Sequence, residues 1–112
     1  MFNNLEILGL AQARARHAAA RQAQVATNIA NADTPGYRAR DVASFDQVFR
    51  IDGGSARLTL RTIDAGGVQS PNGNTVSLET EMVRSVEAQR DHSRALMVYR
   101  SAMNVMRAGL GR

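Results

Sequence analysis

An alanine-rich helical pattern runs from residue 4 and is cut off at "NIANADTPGYRARD", residues 28–41. Thr34 precedes Pro35, which pushes it out of the helical region. Pro35-Gly36 suits the two central positions of a type II turn, where the glycine takes a positive φ. Asn31 is expected to close the helix, because Asn tolerates the left-handed conformation better than most residues. Asn28 and Asn31 are three apart and share a face, so their amides are placed to hydrogen-bond the exiting chain. A plain helix stop explains the proline and glycine but not the paired asparagines beside the apolar Ile29.

Upstream of the turn, Leu8, Ala11, Ala15, Ala18, Gln22, Val25 and Ile29 fall at alternating spacings of three and four. That is a heptad seam of mostly small residues, and it predicts one helix over 4–31. Alanine has the best helix propensity, so local preference agrees with the pattern. Small seam residues admit a close neighbour, which suits packing among many helices. Arg14 and Arg21 lie one heptad apart, off the seam.

A second helix is predicted over 77–109. Ser77 is its N-cap, and Glu79 and Glu81 occupy the first turns, where the helix dipole favours negative charge. Arg100 and Arg107 suit the other end, and Gly109 and Gly111 mark the stop. Its expected seam is Leu96, Tyr99, Met103, Met106 and Leu110, with Met82, Val86 and Gln89 upstream and a stutter near Met82 and Val86. Three of the chain's five methionines lie late in this helix, where they give adaptable packing.

Residues 32–76 differ in composition, holding both prolines and most of the glycines. A structureless loop of that length is unusual in a compact domain, so the segment is either disordered or has short elements of its own. "ARLTLRTID" alternates, with Leu58 and Leu60 on one face and Arg57, Thr59 and Arg61 on the other. That reads as a half-buried strand between glycine pairs at 53–54 and 66–67. The fold expectation is mainly α. Long terminal helices, 1–31 and 77–112, pair as an antiparallel coiled coil, and residues 32–76 form an extended or small β-hairpin segment.

Convergent chemistry is not visible. His17 and His92 have no metal-ligand partner at i+3 or i+4, and read as solvated or packed histidines. Glu87 and Asp91 are i,i+4, but Arg84, Arg90 and Arg94 around them suggest a solvated charged face. No glycine-rich loop has phosphate-binding spacing. The absence of cysteine excludes disulfides and thiolate metal sites and leaves the compartment open. No catalytic residue, cofactor or metal is expected, and an enzyme is not the reading. The net charge of +4 comes with 14 arginines and no lysine. These arginines are scattered among acids and aromatics are few, which argues against nucleic acid, although a basic helical nucleic-acid binder stays as the alternative from another class. The start "MFNNLEILGL" lacks the features of a secretory signal, and no apolar run is long enough to insert into a membrane.

Leu, Ile, Val and Phe together make up about a fifth of the chain, close to the range where chains stop folding alone. Two amphipathic helices with a thin core point to self-assembly or a helical partner.

The sequence "NIANADTPGY" resembles the signature of bacterial flagellar rod and hook proteins, Asn-Ile/Leu-Ala-Asn-x-x-Thr-Pro-Gly-Tyr at the end of a long first helix. "RARDVASF" and "NGNTVSLETEM", residues 72–82, resemble the proximal rod branch of the flagellar basal-body rod family more than other axial proteins, with another axial rod protein as the nearest alternative. The chain departs from the family at Ala88 and His92, where an Asn and an aromatic are frequent. The resemblance implies a non-enzymatic subunit of the periplasmic rod, exported unprocessed by the flagellar type III apparatus and folding as it joins the growing structure. Implied partners are copies of itself, other flagellar rod proteins, an adaptor at the junction of membrane ring and export gate, and, transiently, the export apparatus. It also implies that Leu8, Ala15, Val25 and Ile29 pack against Leu96, Tyr99, Met103 and Met106. Asn28, Asn31, Thr34, Pro35, Gly36 and Tyr37 would fix the helix exit and meet a neighbouring subunit.

Overall fold

A computed structural model describes residues 3–53 and 55–110. Helix α1 spans Asn4–Ala30 and helix α3 spans Leu78–Leu110; between them lie β1 (Arg40–Val42), the single turn α2 (Phe45–Val48), β2 (Phe49–Asp52), β3 (Ser55–Leu58) and β4 (Thr62–Asp64). The molecule is a rod, 65 × 26 × 17 Å.

Both long helices start on side-chain caps. Asn3 Oδ1 accepts from Glu6 N–H at 2.8 Å at the head of α1. Ser77 Oγ accepts from Thr80 N–H at 3.3 Å at the head of α3. Each satisfies a donor that the first helical turn leaves unpaired. Gly109 does not end α3, which continues through Leu110; Gly111 lies outside the described residues. Among the described residues nothing approaches within 4 Å of where a Gly109 side chain would stand, so no close contact there calls for the glycine.

The two helices pack along their length in opposite directions. Asn28 meets Glu81, Gln22 meets Ser85, and Arg21 meets Glu87, so positions fall on α3 as they rise on α1. The buried row on α1 is Ala11, Ala18 and Val25, followed by Asn28. Ile29, expected to continue the seam, is 42% exposed. The polar partners waiting around Asn28 draw the helix face round by one position.

The row on α3 is Glu81, Ala88, Ala95 and Ala102, each seven apart, with Ser85, His92, Tyr99 and Met106 half-buried between them. It runs at spacings of four and three without a break, so no stutter occurs near Met82 and Val86. The expected seam was therefore set one residue too late through Met82, Val86, Gln89 and Leu96. Met82 and Val86 are more than half exposed, Leu96 is 39% exposed and Leu110 is 82% exposed. Alanine holds three of the four buried positions on α3, where a small side chain lets the two helices pack closely.

The middle segment is folded. β1 pairs antiparallel with β4, Arg40 opposite Asp64, and β2 pairs antiparallel with β3, Phe49 opposite Leu58. The two ribbons nest, so residues 40–64 make one out-and-back excursion. "ARLTLRTID" is consequently split between two ribbons. The break at Thr59–Arg61 faces α2 and is bridged by Thr59 N–H to Val48 O and Ala43 N–H to Arg61 O, both 2.9 Å. Leu58 is half-buried, while Leu60 is 38% exposed, because the split turns them to different surroundings.

The excursion docks on the side of α1 away from α3. Phe45 stacks on Phe49 at 4.8 Å between centroids, meets the His17 ring edge-on at 5.7 Å, and carries the Arg14 guanidinium 4.2 Å above its face. His17 Nε2 donates to Ala43 O at 2.8 Å, so His17 is a packed histidine with a structural bond. Further along, β3 lies against α1 at Gly9, where an added Cβ would stand 3.2 Å from Ala56 Cβ.

Candidate functional site

The chain leaves α1 through a turn whose backbone is set by three residues. Tyr37 N–H donates to Thr34 O at 3.2 Å, and Gly36 has φ 76°, which together make Thr34–Tyr37 a type II turn. Asn31 closes α1 differently from expectation. Its φ is −104°, not left-handed. Its backbone N–H donates to Asn28 O (3.1 Å) and Thr27 O (3.2 Å), and its side chain adds to this: Nδ2 donates to Thr27 O at 2.8 Å, and Oδ1 accepts from Thr34 Oγ1 at 3.1 Å. The amide of Asn31 can thus satisfy a terminal carbonyl without any backbone strain.

Residues 72–75, in the strap just before α3, hold this turn from the other side. Asn74 Nδ2 donates to both Asn31 O (2.9 Å) and Thr34 O (2.7 Å). Gly36 N–H donates to Asn72 O at 2.9 Å, Thr75 N–H to Tyr37 O at 3.0 Å, and Ala39 N–H to Thr75 Oγ1 at 2.8 Å. The two sequence signatures, "NIANADTPGY" and "NGNTVSLETEM", are therefore the two halves of one latch.

Asn28 is the hub beneath it, with no exposed surface. Its Nδ2 donates to Arg40 O at 2.7 Å and to Glu81 Oε1 at 2.9 Å. Its Oδ1 accepts from Tyr37 OH (2.9 Å), Gln24 Nε2 (3.0 Å) and Arg40 N–H (3.2 Å). One amide thus joins α1, the turn, β1 and α3. Glu81, equally buried, gives its other oxygen to Arg84 Nη1 at 2.6 Å. A buried carboxylate is tolerated only with such partners. From Arg84 the charges alternate outward: Asp41 lies 3.8 Å away, Arg21 holds Asp41 at 3.2 Å, and Glu87 closes the chain 3.4 Å from Arg21. Burial opposes the Arg21 charge, but the hydrogen bond and charge of Asp41, helped by Glu87 and Asp91, outweigh it and raise its pKa above the ordinary value. Among the described residues no buried side-chain nitrogen or oxygen lacks a partner.

Sequence reasoning placed Asn28, Asn31, Thr34, Pro35, Gly36 and Tyr37 together at the turn. It missed Asn74, Asp41 and Arg21, and it assigned Glu81 to the helix dipole and Arg84 to a solvated face. Of the expected packing residues, Val25 is buried and Leu8, Ala15, Tyr99, Met103 and Met106 are half-buried, whereas Ile29 and Leu96 face outward. The seven-residue repeat of Ala88, Ala95 and Ala102 was the signal that would have set the register of α3.

A family model described as flagella basal body rod protein matches residues 9–38, which take in most of α1 and the turn through Tyr37. The FlgB flagellar basal body rod protein of Salmonella typhimurium is 32% identical over a 118-position alignment covering 81% of this chain and 86% of that protein. The chain belongs to the FlgB family of flagellar basal body rod proteins. The FlgB protein of Agrobacterium fabrum is likewise 32% identical, over 79% of this chain and 80% of its own length. As a FlgB-family member the chain is a structural component of the flagellar basal body rod. The FlgB alignments extend well beyond the 30-residue segment the family model matches, and so take in structure on both sides of the latch.

Proposed function

We propose that the chain is a subunit of the proximal rod, carried out by the flagellar type III export apparatus and assembled through its terminal helices, which zip as an antiparallel coiled coil along the inner tube. Residues 1–31 and 77–112 form the rod core, and residues 32–76 an arm on its flank. Its partners are its own copies, neighbouring rod proteins, the adaptor at the junction of membrane ring and export gate, and briefly the export apparatus itself. Among the described residues no helix is long and apolar enough to cross a membrane, in keeping with a subunit held by protein contacts.

One observation carries this reading: alanines close the helix pair, while most of the larger apolar side chains of α3 face outward. Met82, Val83, Val86, Met97 and Val105 are each more than half exposed, and a groove of about 320 Å³ lies open between the helices, its apolar floor of Leu10, Ala11, Ala95 and Val98 flanked by the charged Arg14, Asp91 and Arg94. Among the described residues eight of the twelve buried apolar ones are alanine, so the lone chain encloses little hydrocarbon there and stands near the limit of independent stability. Neighbouring subunits would cover the outward row and add the missing burial.

The test is incorporation. Ile29→Asp and Val86→Asp place charge on exposed positions, so the purified variants should keep the parent's helical circular dichroism. Basal bodies isolated from cells producing either variant should lack the subunit, because a charge buried at a subunit contact without a partner is costly. Normal incorporation of both variants would remove these faces from the assembly contact.

A further inference from the structure

Asn72-Gly73 is the chain's sole Asn-Gly pair, and it sits in the strap that holds the helix-exit turn. We propose that Asn72 is a conformation-controlled deamidation site, chemically shielded while the latch is closed and reactive when it opens. In such a step the Gly73 backbone nitrogen loses its proton and attacks Asn72 Cγ. The new N–Cγ bond closes a five-membered succinimide, the Cγ–Nδ2 bond breaks, and ammonia leaves. Water then opens the ring at one of its two carbonyls. Attack at Cγ yields aspartate; attack at the main-chain carbonyl yields isoaspartate. Glycine favours the step because no Cβ hinders its nitrogen.

The closed latch restrains every group this chemistry needs. Gly73 N–H donates to Ser70 O at 2.8 Å, and an imide nitrogen has no hydrogen, so that bond is lost on cyclisation. Asn72 O, on the same peptide plane, accepts from Gly36 N–H at 2.9 Å. Asn72 Oδ1 accepts from Asn74 N–H at 3.1 Å, which holds the electrophilic carbon in place. Ser70 N–H to Asn74 O, 2.8 Å, closes the small loop around the pair. Turning the peptide plane to form the ring gives up the bonds at both of its ends. Nor is Gly73 free to drift, since its φ is 87° and a Cβ there would lie 3.3 Å from Gly36 Cα.

The consequence runs back to the fold. Isoaspartate routes the chain through Cβ, adds one backbone carbon to the strap, and takes the acceptor of Gly36 N–H off the main chain. It also adds a negative charge. A chain modified while unfolded should therefore close the latch poorly, so the fold protects the residue on which its own closure depends.

Peptide mapping by mass spectrometry tests this on the full chain in H2(18)O at mildly alkaline pH. One sample is folded, in buffer with sucrose to favour the compact state, and one is in guanidinium. The +3 Da product (one mass unit from deamidation, two from the isotope) should build up at Asn72 in guanidinium ahead of Asn28, Asn31, Asn74 and Asn104. In the folded sample it should form about tenfold more slowly or less, the protection expected from two or three hydrogen bonds that must open together. Equal rates in the two samples, or no preference for Asn72 in guanidinium, would overturn the proposal. Asn74→Ala removes the side-chain bonds to Asn31 O and Thr34 O but keeps the Asn-Gly pair. Its folded rate should rise toward its own guanidinium rate, and an unchanged ratio would show that the latch is not the shield. The comparison in the parent chain stands whether or not this variant folds.

Discussion

Glu81 Oε1 accepts a 2.9 Å hydrogen bond from Asn28 Nδ2 across 53 positions of sequence, and both residues are fully enclosed. The bond ties the exit of the first helix to the entry of the last. Because Asn28 also holds Tyr37 and the Arg40 backbone, the turn, the first strand and the helix pair cannot be disturbed separately.

Asn28→Ala removes two donated and three accepted hydrogen bonds and leaves Glu81 short of a partner. The expected loss is about 3 kcal/mol, at the upper end for point substitutions, because several buried groups go unpaired together. Asn31→Ala, whose amide sits on a half-buried helix end, should cost about 1 kcal/mol. Urea titration of both variants by circular dichroism measures the difference; equal losses would show that Asn28 is not the hub.

Gly36→Val should destabilise through the backbone alone. Its φ of 76° is strained for a side chain that branches at Cβ, yet among the described residues no atom lies within 4 Å of the added carbon. The cost should be about 1–3 kcal/mol. Gly36→Asn should cost less, because Asn visits this region more readily. Thermal melts that rank Asn as the worse substitution would point to crowding instead.

Ala95→Leu and Leu96→Ala test the register of the helix pair. Ala95 is 5% exposed, so a larger side chain must force the helices apart, at about 1–3 kcal/mol. Leu96 is 39% exposed, and its truncation in the lone chain should cost under about 1 kcal/mol. The reverse order in denaturant titrations would return the seam to Leu96.

Asp64 gives the ribbon a pH dependence. The Arg38 hydrogen bond at 2.7 Å, with a second from Gly66 N–H, holds its pKa below the ordinary 3.8. Because the folded value lies below the unfolded one, the contribution is present above pH 3.8 and fades as pH falls through the lowered value. The Asp64 carboxyl and Gly66 amide should titrate together by NMR with a midpoint below 3.8. A midpoint at or above it would mean the pair does not form in solution.

Much of this molecule was legible before any coordinates. Helical periodicity, alanine propensity and side-chain caps are local, so α1, α3, Ser77 and the type II turn could be read from neighbours in the chain. The closure of α1 was half legible: the Asn28 and Asn31 amides bond the exiting chain as their spacing suggested, but the Asn31 backbone is not left-handed.

What tertiary structure decided was which near-equivalent face turns inward. On α3 the rows beginning at Glu81 and at Met82 differ by one position, and hydropathy favours the second. Backbone proximity reversed that preference, since alanine and a paired glutamate fit a tight interface that methionine and leucine would hold open. The same holds for the latch: Asn74, Asp41 and Arg21 look like ordinary polar residues until the fold sets them against Asn31, Arg84 and Glu87. Local sequence carries the energy of turns and helices, whereas the pairing of a buried polar group depends on partners tens of residues away, which only the folded chain brings together.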